Sequence, residues 1–455
     1  MEENTSNIKN QMKTEESEYL NNMLQDAIVK FVAWLEKAGY ESYDPYDIWG
    51  TPYGLWARRL YYAKNPLGLA LTAPVILMEI ICPSLRSLFV KKERFATADA
   101  QLILGFLNLH RAQNKGYLTT AFSRNYKKSF KKKRGQGYNK KTQPNLDSLE
   151  SNYWLDKAKE LAKKLIGYSI PGFSGYCWGY PFEWQHSQGR VSKNIPLITA
   201  TPYCFEAFLG LFDITGEDQY LDIARSIANF VLEDLKDTPT GGDSMAGSYH
   251  PNDNGMVVNA SAYRAFVLFE ASKRFGFETY ADKAWGNLKF ILQSQSEDGS
   301  WLYSMNSPTE TFIDHFHTCF VLKNLYKINL VLNDNEVGQA IKNGYEYYRR
   351  ELFDQNGLPK SFSIKPRMQI NQLEMYNIAE AISLGVLLRA QIPEAYNLAN
   401  NLTYLLCNYY QHRRGYFITR TYIGGLKHKV PFLRWPQAQL FYALTNILIA
   451  GQSES

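Results

Sequence analysis

The chain has 455 residues, of which 45% are hydrophobic and 15% aromatic, with a formal net charge of +6. That content supports a large core and excludes a disordered or fibrous protein. Nine of the positive charges lie in Arg124–Lys141, which contains no acid, so the remainder of the chain sums to −3 and a generally basic, nucleic-acid-binding fold is excluded.

Taken in order, Met1–Glu18 is acidic and polar. It lacks the charged-then-apolar pattern of a secretory leader and reads as a flexible tail (1–18). Asn21–Lys37 has apolar residues at Leu24, Ile28, Phe31, Val32 and Leu35, the spacing of an amphipathic helix. Tyr43–Gly54 is a Pro/Gly-punctuated loop crowded with aromatics, and Tyr61–Phe89 is an apolar helical stretch expected to break at Pro66, Pro74 and Pro83. Its most apolar part, Leu67–Cys82, contains Pro74 and Glu79 and is short for a span of about 20 residues. It reads as a buried helix, with insertion into one membrane leaflet as the alternative. Ala100–His110 follows as an apolar helix, and 115–149 as a basic insertion within the domain. The tract Arg124–Lys141 suits peripheral contact with anionic lipid; the plainer reading is a solvated loop, and no nucleic-acid motif accompanies it.

Beyond the insertion, amphipathic segments (155–166, 220–235, 280–293, 336–352, 393–410) alternate with more apolar ones. The apolar segments begin near Asp99, Pro202, Ala260, His315, Leu373 and Pro436, and the last four spacings are 58, 55, 58 and 63 residues. A near-constant two-helix period signals a repeat architecture. Helices apolar all round sit inside, and amphipathic ones face water on one side. The expectation is therefore an all-α, single-domain toroid over 1–455, with an inner and an outer ring of six helices each. No strand pattern of note appears, and 415–424 is at most a hairpin. The five cysteines (Cys82, Cys177, Cys204, Cys319, Cys407) are odd in number with no C-x-x-C pair, consistent with reduced thiols in a cytoplasmic protein.

This alternation resembles the (α/α)6 toroid, the six-hairpin fold of many glycoside hydrolases, polysaccharide lyases and sugar epimerases. More narrowly, Val258-Asn259-Ala260, the turn Gln295–Trp301 and Ile313–Thr318 resemble the VpsJ-like group assigned to exopolysaccharide biosynthesis. That resemblance implies a place in surface-polysaccharide production and carries over no catalytic residues. Phe290–Trp301 also resembles one repeat motif of the terpenoid cyclases, but the D-x-D-D and D-D-x-x-D segments of that family are absent. The Gln295…Gly299…Trp301 turn is taken as a fold marker, with Gly ending a helix and Trp packing across the turn.

In such a ring the starts of the inner helices share one funnel, where free N–H groups and positive dipole ends converge. The residues at those starts are polar: Arg94 and Asp99; Tyr203 and Glu206; Asn259, Tyr263 and Arg264; Asp314, His315 and His317; Glu374 and Tyr376; Arg434, Trp435 and Gln437. Trp178 and Trp184, in the aromatic loop 171–188, and Tyr249–Asp253 are placed over the mouth. Carboxylates, cations and flat aromatics around a concavity suit a carbohydrate or lipid-linked sugar. As an enzyme, the chain would use Asp314 or Glu206 as acid/base, assisted by His317, Tyr263 and Arg264, with the other residues named here binding substrate. No metal or cofactor is expected. Paired carboxylates favour hydrolysis, and Tyr/His/Arg without such a pair favours elimination or epimerisation. Asn259 and Asp314 also read as helix N-caps. Glu206 and Glu374, inside apolar helices, read either as partners of Arg264 or Arg434 or as acids with raised pKa. Sequence leaves open a non-catalytic glycan-binding or partner-binding toroid and, more weakly, an isoprenoid-binding one.

Overall fold

A computed structural model describes residues 2–131, 152–186, 189–307, 311–366 and 369–452. The helices are α1 (Glu2–Ala38), α2 (Pro52–Tyr62), α3 (Pro66–Ile81), α4 (Ala96–Asn114), α5 (Thr120–Lys131), α6 (Tyr153–Gly167), α7 (Thr201–Thr215), α8 (Asp218–Glu233), α9 (Val258–Phe275), α10 (Glu278–Gln293), α11 (His315–Leu332), α12 (Asn335–Glu351), α13 (Met375–Leu388), α14 (Pro393–Leu405) and α15 (Ala438–Gln452). Packing runs α4 to α7 to α9 to α11 to α13 to α15 and back to α4, so these six close into an inner ring. Each carries an outer partner: α6, α8, α10, α12 and α14 on the first five, and α1 on α15. The chain is an (α/α)6 toroid, as the two-helix period implied.

Local chemistry sets the hairpins. α7 and α9 end on Gly216 and Gly276 in the left-handed conformation (φ 67° and 75°), and α11 on Asn333 (φ 51°). Each outer helix starts two residues later, so the pairs are antiparallel. Two turns then tie neighbouring hairpins together. The Gln295 amide donates to the Gly299 carbonyl (3.0 Å) and to the Ala340 carbonyl of α12 (3.0 Å). The Gln411 amide does the same to Gly415 (2.9 Å) and to Ala27 of α1 (2.8 Å). The second tie joins the C-terminal hairpin to the N-terminal helix and closes the ring. Trp301 packs across the first turn as expected, its Nε1 donating to Ile291 (3.0 Å).

Gly299 and Gly415 have φ of +91° and +107°, and a Cβ on either would run into the carbonyl of Asn343 or Lys30. Gly415→Ala is expected to lower the unfolding free energy by about 3 kcal/mol. Gly116→Ala, also left-handed (φ +72°) but facing open space, should cost about 1 kcal/mol. Urea denaturation of the two variants beside wild type checks the difference.

Several expectations change. α1 begins inside the 1–18 segment read as a tail. Of the basic insertion, 115–131 is described and includes α5, whereas 132–149 lies outside the described residues. Pro74 lies within α3 and does not end it. Short strands do occur, as β1 (Trp184–His186), β2 (Gly189–Val191), β3 (Asp237–Gly241), β4 (Ser244–Gly247), β5 (Ile313–Asp314), β6 (Phe362–Ile364), β7 (Asn371–Glu374), β8 (Arg420–Tyr422) and β9 (Lys427–His428). They pair antiparallel as β1-β2, β3-β4, β5-β6 and β7-β8-β9. β5 and β7 run straight into α11 and α13, which fixes how those inner helices enter the mouth. The run 67–82, read as a buried helix, is instead largely exposed: α3 turns only Gly68 and Thr72 fully inward, and it packs on α2 outside the ring. A Cβ at Gly68 would run into the backbone of Leu60 and Tyr61, so that glycine permits the close α2–α3 approach.

Candidate active site

The starts of the inner helices open on one cavity of about 360 Å³. Thr97 (α4), Tyr203 (α7), Tyr263 (α9), His317 (α11), Tyr376 (α13) and Trp435, just before α15, line it. Loops add Tyr46, Tyr180, Trp184, Tyr249, His250 and Asp253, and Arg58 and Tyr62 of α2 form part of the rim. Of the 28 lining residues, 14 are aromatic and eight of those are tyrosines, so the wall is flat and apolar in its rings yet studded with hydroxyls.

Asp314 and His317 form the most organised polar group there. Asp314 caps α11, its Oδ1 accepting from the His317 backbone N–H at 2.8 Å. Its Oδ2 lies 2.6 Å from His317 Nδ1. A carboxylate at that distance accepts, so Nδ1 carries the proton and Nε2 presents its lone pair. Nε2 has no hydrogen-bond partner among the described residues. The imidazole is held by Phe316 and Tyr303, with ring centroids at 4.3 and 4.6 Å. Asp314 is thus both the cap and the orienting carboxylate. Beside the dyad, Asn259 is buried with both amide atoms lacking a protein partner among the described residues. It lines a recess of about 10 Å³ with Asp314, His317 and Thr318, room for one water-sized group.

Phe316 links the dyad to an aromatic platform. Tyr376 and Trp435 stack with centroids 3.7 Å apart and planes 2° from parallel, with Phe316 edge-on to both. The Tyr203 and Tyr263 hydroxyls are 3.1 Å apart. Burial pushes the hydroxyls of Tyr203, Tyr263 and Tyr376 well above the usual tyrosine range, so they remain protonated and serve as donors, not bases. Beneath this layer Glu380 and Lys323 pair at 2.5 Å, and Gln439 donates to Glu380 at 2.5 Å. Burial raises the Glu380 carboxyl, opposed by Lys323. His250 accepts the Asn252 N–H on Nδ1 at 3.2 Å. Burial lowers its pKa, opposed by Asp253 and reinforced by His186, so at neutral pH the ring is uncharged with its proton on Nε2.

The structure brings Asp314, His317, Tyr263, Trp184, Tyr203, Tyr376, Arg434 and Trp435 to this cavity, and Asn259 to the recess beside the dyad, and sends the other predicted residues elsewhere. Arg264 is buried behind α9, pairing with Asp237 and donating to the Val231 and Leu235 carbonyls (both 3.2 Å). Tyr263 faces the axis, and the next residue is rotated by about 100°. Glu206 lies a helical turn deeper than Tyr203 and pairs with Lys327, not with an arginine. Asp99, two residues from the axis-facing Thr97, turns away to Arg94 (2.7 Å) and the Tyr168 hydroxyl (2.7 Å), which removes both Arg94 and Asp99 from the funnel. Glu374 pairs with Arg420 (3.2 Å) and accepts from Trp435 Nε1 (3.1 Å), so it supports the platform from behind. Arg434 does line the cavity, but Asp44 takes its guanidinium bidentately at 2.5 and 2.7 Å. Trp178 is buried, its Nε1 donating to Leu165 (3.0 Å). Gln437 bonds both backbone groups of Phe417, at 2.9 and 2.7 Å.

His315 is buried between the Leu352 carbonyl (3.3 Å) and the Tyr348 hydroxyl (2.8 Å). Desolvation holds its pKa down at about 3, against an ordinary 6.5. Because the folded value is depressed, the neutral ring's contribution is fully present above about pH 6.5 and is lost as pH falls toward 3. The stability gap between wild type and His315→Asn should therefore narrow by on the order of 3 kcal/mol between pH 7 and 4. Urea titrations at those two pH values measure it.

Sequence reading passed over Asp44, Arg58, Tyr62, Tyr303 and Glu380. The Asp44 signal was its place in the aromatic loop 43–54. Glu380 and Lys323 left a fainter one, as unlike charges in the middle of two apolar helices.

No protein-family model matches the chain, and no curated protein matches it by sequence. Solved structures do match in fold. A family 76 α-mannanase from Bacteroides thetaiotaomicron aligns at TM-score 0.53 and 11% identity, over 79% of this chain and 87% of its own. Cellobiose 2-epimerase from Bacillus thermoamylovorans aligns at 0.54 and 10% identity, over 79% and 88%. A sugar epimerase from a ruminal bacterium aligns at 0.53 and 12%, over 82% and 98%. At such identities the likeness is one of fold.

Proposed function

We propose that the chain is a carbohydrate-active enzyme that removes a proton from a sugar carbon, acting in surface-polysaccharide production on a free or lipid-linked glycan. The observation that carries this reading is the Asp314–His317 dyad, whose Nε2 is left basic in a cavity walled by tyrosines. Neutral imidazole takes a proton from carbon only where an adjacent carbonyl acidifies it, as at C2 of an opened aldose or C5 of a uronate. Asp314 keeps Nε2 basic and stabilises the imidazolium that forms. Of the hydrogen-bonded Tyr203 and Tyr263 hydroxyls, one donates to the other, which donates its own proton to the oxygen on which charge develops. Tyr376 and Trp435 stack on the apolar face of a ring. His250, with its proton on Nε2, supplies the return proton in an epimerisation, or protonates the leaving oxygen in an elimination.

Hydrolysis fits less well. The two lining carboxylates are both engaged: Asp314 with His317, and Asp253 with the N–H groups of Tyr249 (2.8 Å) and Gly255 (3.0 Å). Neither is free to form the pair that hydrolysis requires. The hydroxyl-rich wall also favours a sugar over an isoprenoid. The names of the three fold neighbours, a mannanase and two epimerases, support a sugar substrate.

Mass spectrometry of surface glycans from cells carrying wild type, Asp314→Asn or His317→Ala tests the reading. Both variants are expected to change the glycan. Unaltered glycan with both variants present at wild-type level would refute a catalytic dyad.

A further inference from the structure

The α2–α3 hairpin presents an apolar surface that the ring does not use. Along α3, Ala70, Ala73, Pro74, Leu77 and Ile81 form one outward stripe at helical spacing, with no charge among them. Leu69, Ile81 and Leu88 are 64%, 68% and 74% exposed, and the turn 83–89 ends on exposed Phe89. An ordinary surface helix carries its charges on that outward face, and contiguous apolar patches of this kind mark interaction sites.

The charges at the edge of the patch identify the occupant. Between Pro52 and Lys92 every exposed side chain that carries a charge at neutral pH is a cation, namely Arg59, Lys64, Lys91 and Lys92, and one exposed acid, Glu93, follows directly. The single acid within that span, Glu79, is half-buried and paired with Arg86 (3.3 Å). Trp56 and Tyr53, exposed on α2, add amphipathic aromatics of the type that settle at a membrane interface. α3 has 16 residues, about 24 Å of helix, and among the described residues no helix is long and apolar enough to cross a bilayer.

We propose that this hairpin docks in the surface of an anionic lipid bilayer, its apolar stripe among the acyl chains and its cations at the phosphates. α2 carries Trp56 and Arg59 on its outer side and lends Arg58 and Tyr62 to the cavity rim. Docking therefore sets the mouth of the cavity at headgroup level. The docking stands apart from the reaction proposed above, and its test reads no activity.

The full chain is floated with vesicles of phosphatidylcholine alone or with one-third phosphatidylglycerol. Wild type is expected to float with the anionic vesicles, less so as salt rises. Leu77→Asp/Ile81→Asp should lower the partition coefficient by at least about tenfold on both lipids. Lys91→Glu/Lys92→Glu should lower it by at least about tenfold on the anionic vesicles alone. All four side chains are exposed or at the hairpin's outer face, and unchanged circular-dichroism melts confirm the fold. Wild type that stays with the aqueous phase overturns the proposal. So does binding that survives both variants but is lost in Lys127→Glu/Lys128→Glu, which would move the contact to the basic tract. A wild-type dimer in light scattering that Leu77→Asp/Ile81→Asp converts to monomer, without vesicle binding, would give the face to a second copy.

Discussion

Replacing His317 by alanine is expected to lower turnover by about 10²- to 10⁴-fold, the usual contribution of a positioned general base. Among the described residues the half-buried ring hydrogen-bonds with Asp314 alone, so unfolding free energy should move by no more than about 1 kcal/mol. Asp314→Asn separates orientation from structure. Asn is as good a helix cap as Asp, so α11 should start as before, with the amide oxygen accepting the His317 N–H. The amide NH₂ then faces Nδ1 and donates to it, which places the ring proton on Nε2 and removes the base. The account predicts a large loss of turnover for Asp314→Asn with stability intact. A merely structural Asp314 would predict the reverse.

The second large effect falls on stability. Arg264→Ala is expected to lower the unfolding free energy by about 3–5 kcal/mol, the range for breaking a buried ion pair from one side. The side chain is fully buried, and its loss frees Asp237 and the Val231 and Leu235 carbonyls together. Lys283 stays with Asp237 at 2.8 Å and keeps the effect from being larger. Activity per folded molecule should change little, because Arg264 points away from the cavity. Chemical denaturation and turnover, measured on the same preparation, separate the two.

Those two residues show how far the sequence carries. The ring was legible because the two-helix period is written in composition, and the mouth was legible as the starts of the apolar helices. Which side chain at each start faces inward was not. A helix sends successive residues about 100° apart, so Tyr263 reaches the axis and Arg264 reaches Asp237 behind it. Thr97 and Asp99 divide in the same way. Depth was also hidden: Glu206 and Tyr203 share a face of α7, but a turn separates the cavity wall from the ion pair with Lys327. Asp44 stood out by its place in the aromatic loop, but nothing local showed that it holds Arg434 from 390 residues away. The apolar run 67–82 was read as core because composition does not distinguish a helix buried in the interior from one that leaves its apolar face exposed. The reading of Asp314 as a cap and its reading as an acid/base residue were posed as alternatives; one carboxylate caps α11 and orients His317 at the same time.

The central claim is that Nε2 of His317 takes a proton from a sugar carbon. Its most direct test is ¹H NMR in D₂O with cellobiose, mannobiose and a glucuronate-terminated oligosaccharide as probes. The account predicts loss of the C–H signal beside the carbonyl as deuterium enters, with wild type and not with His317→Ala. New reducing ends without deuterium incorporation, or exchange that His317→Ala leaves unchanged, would contradict it.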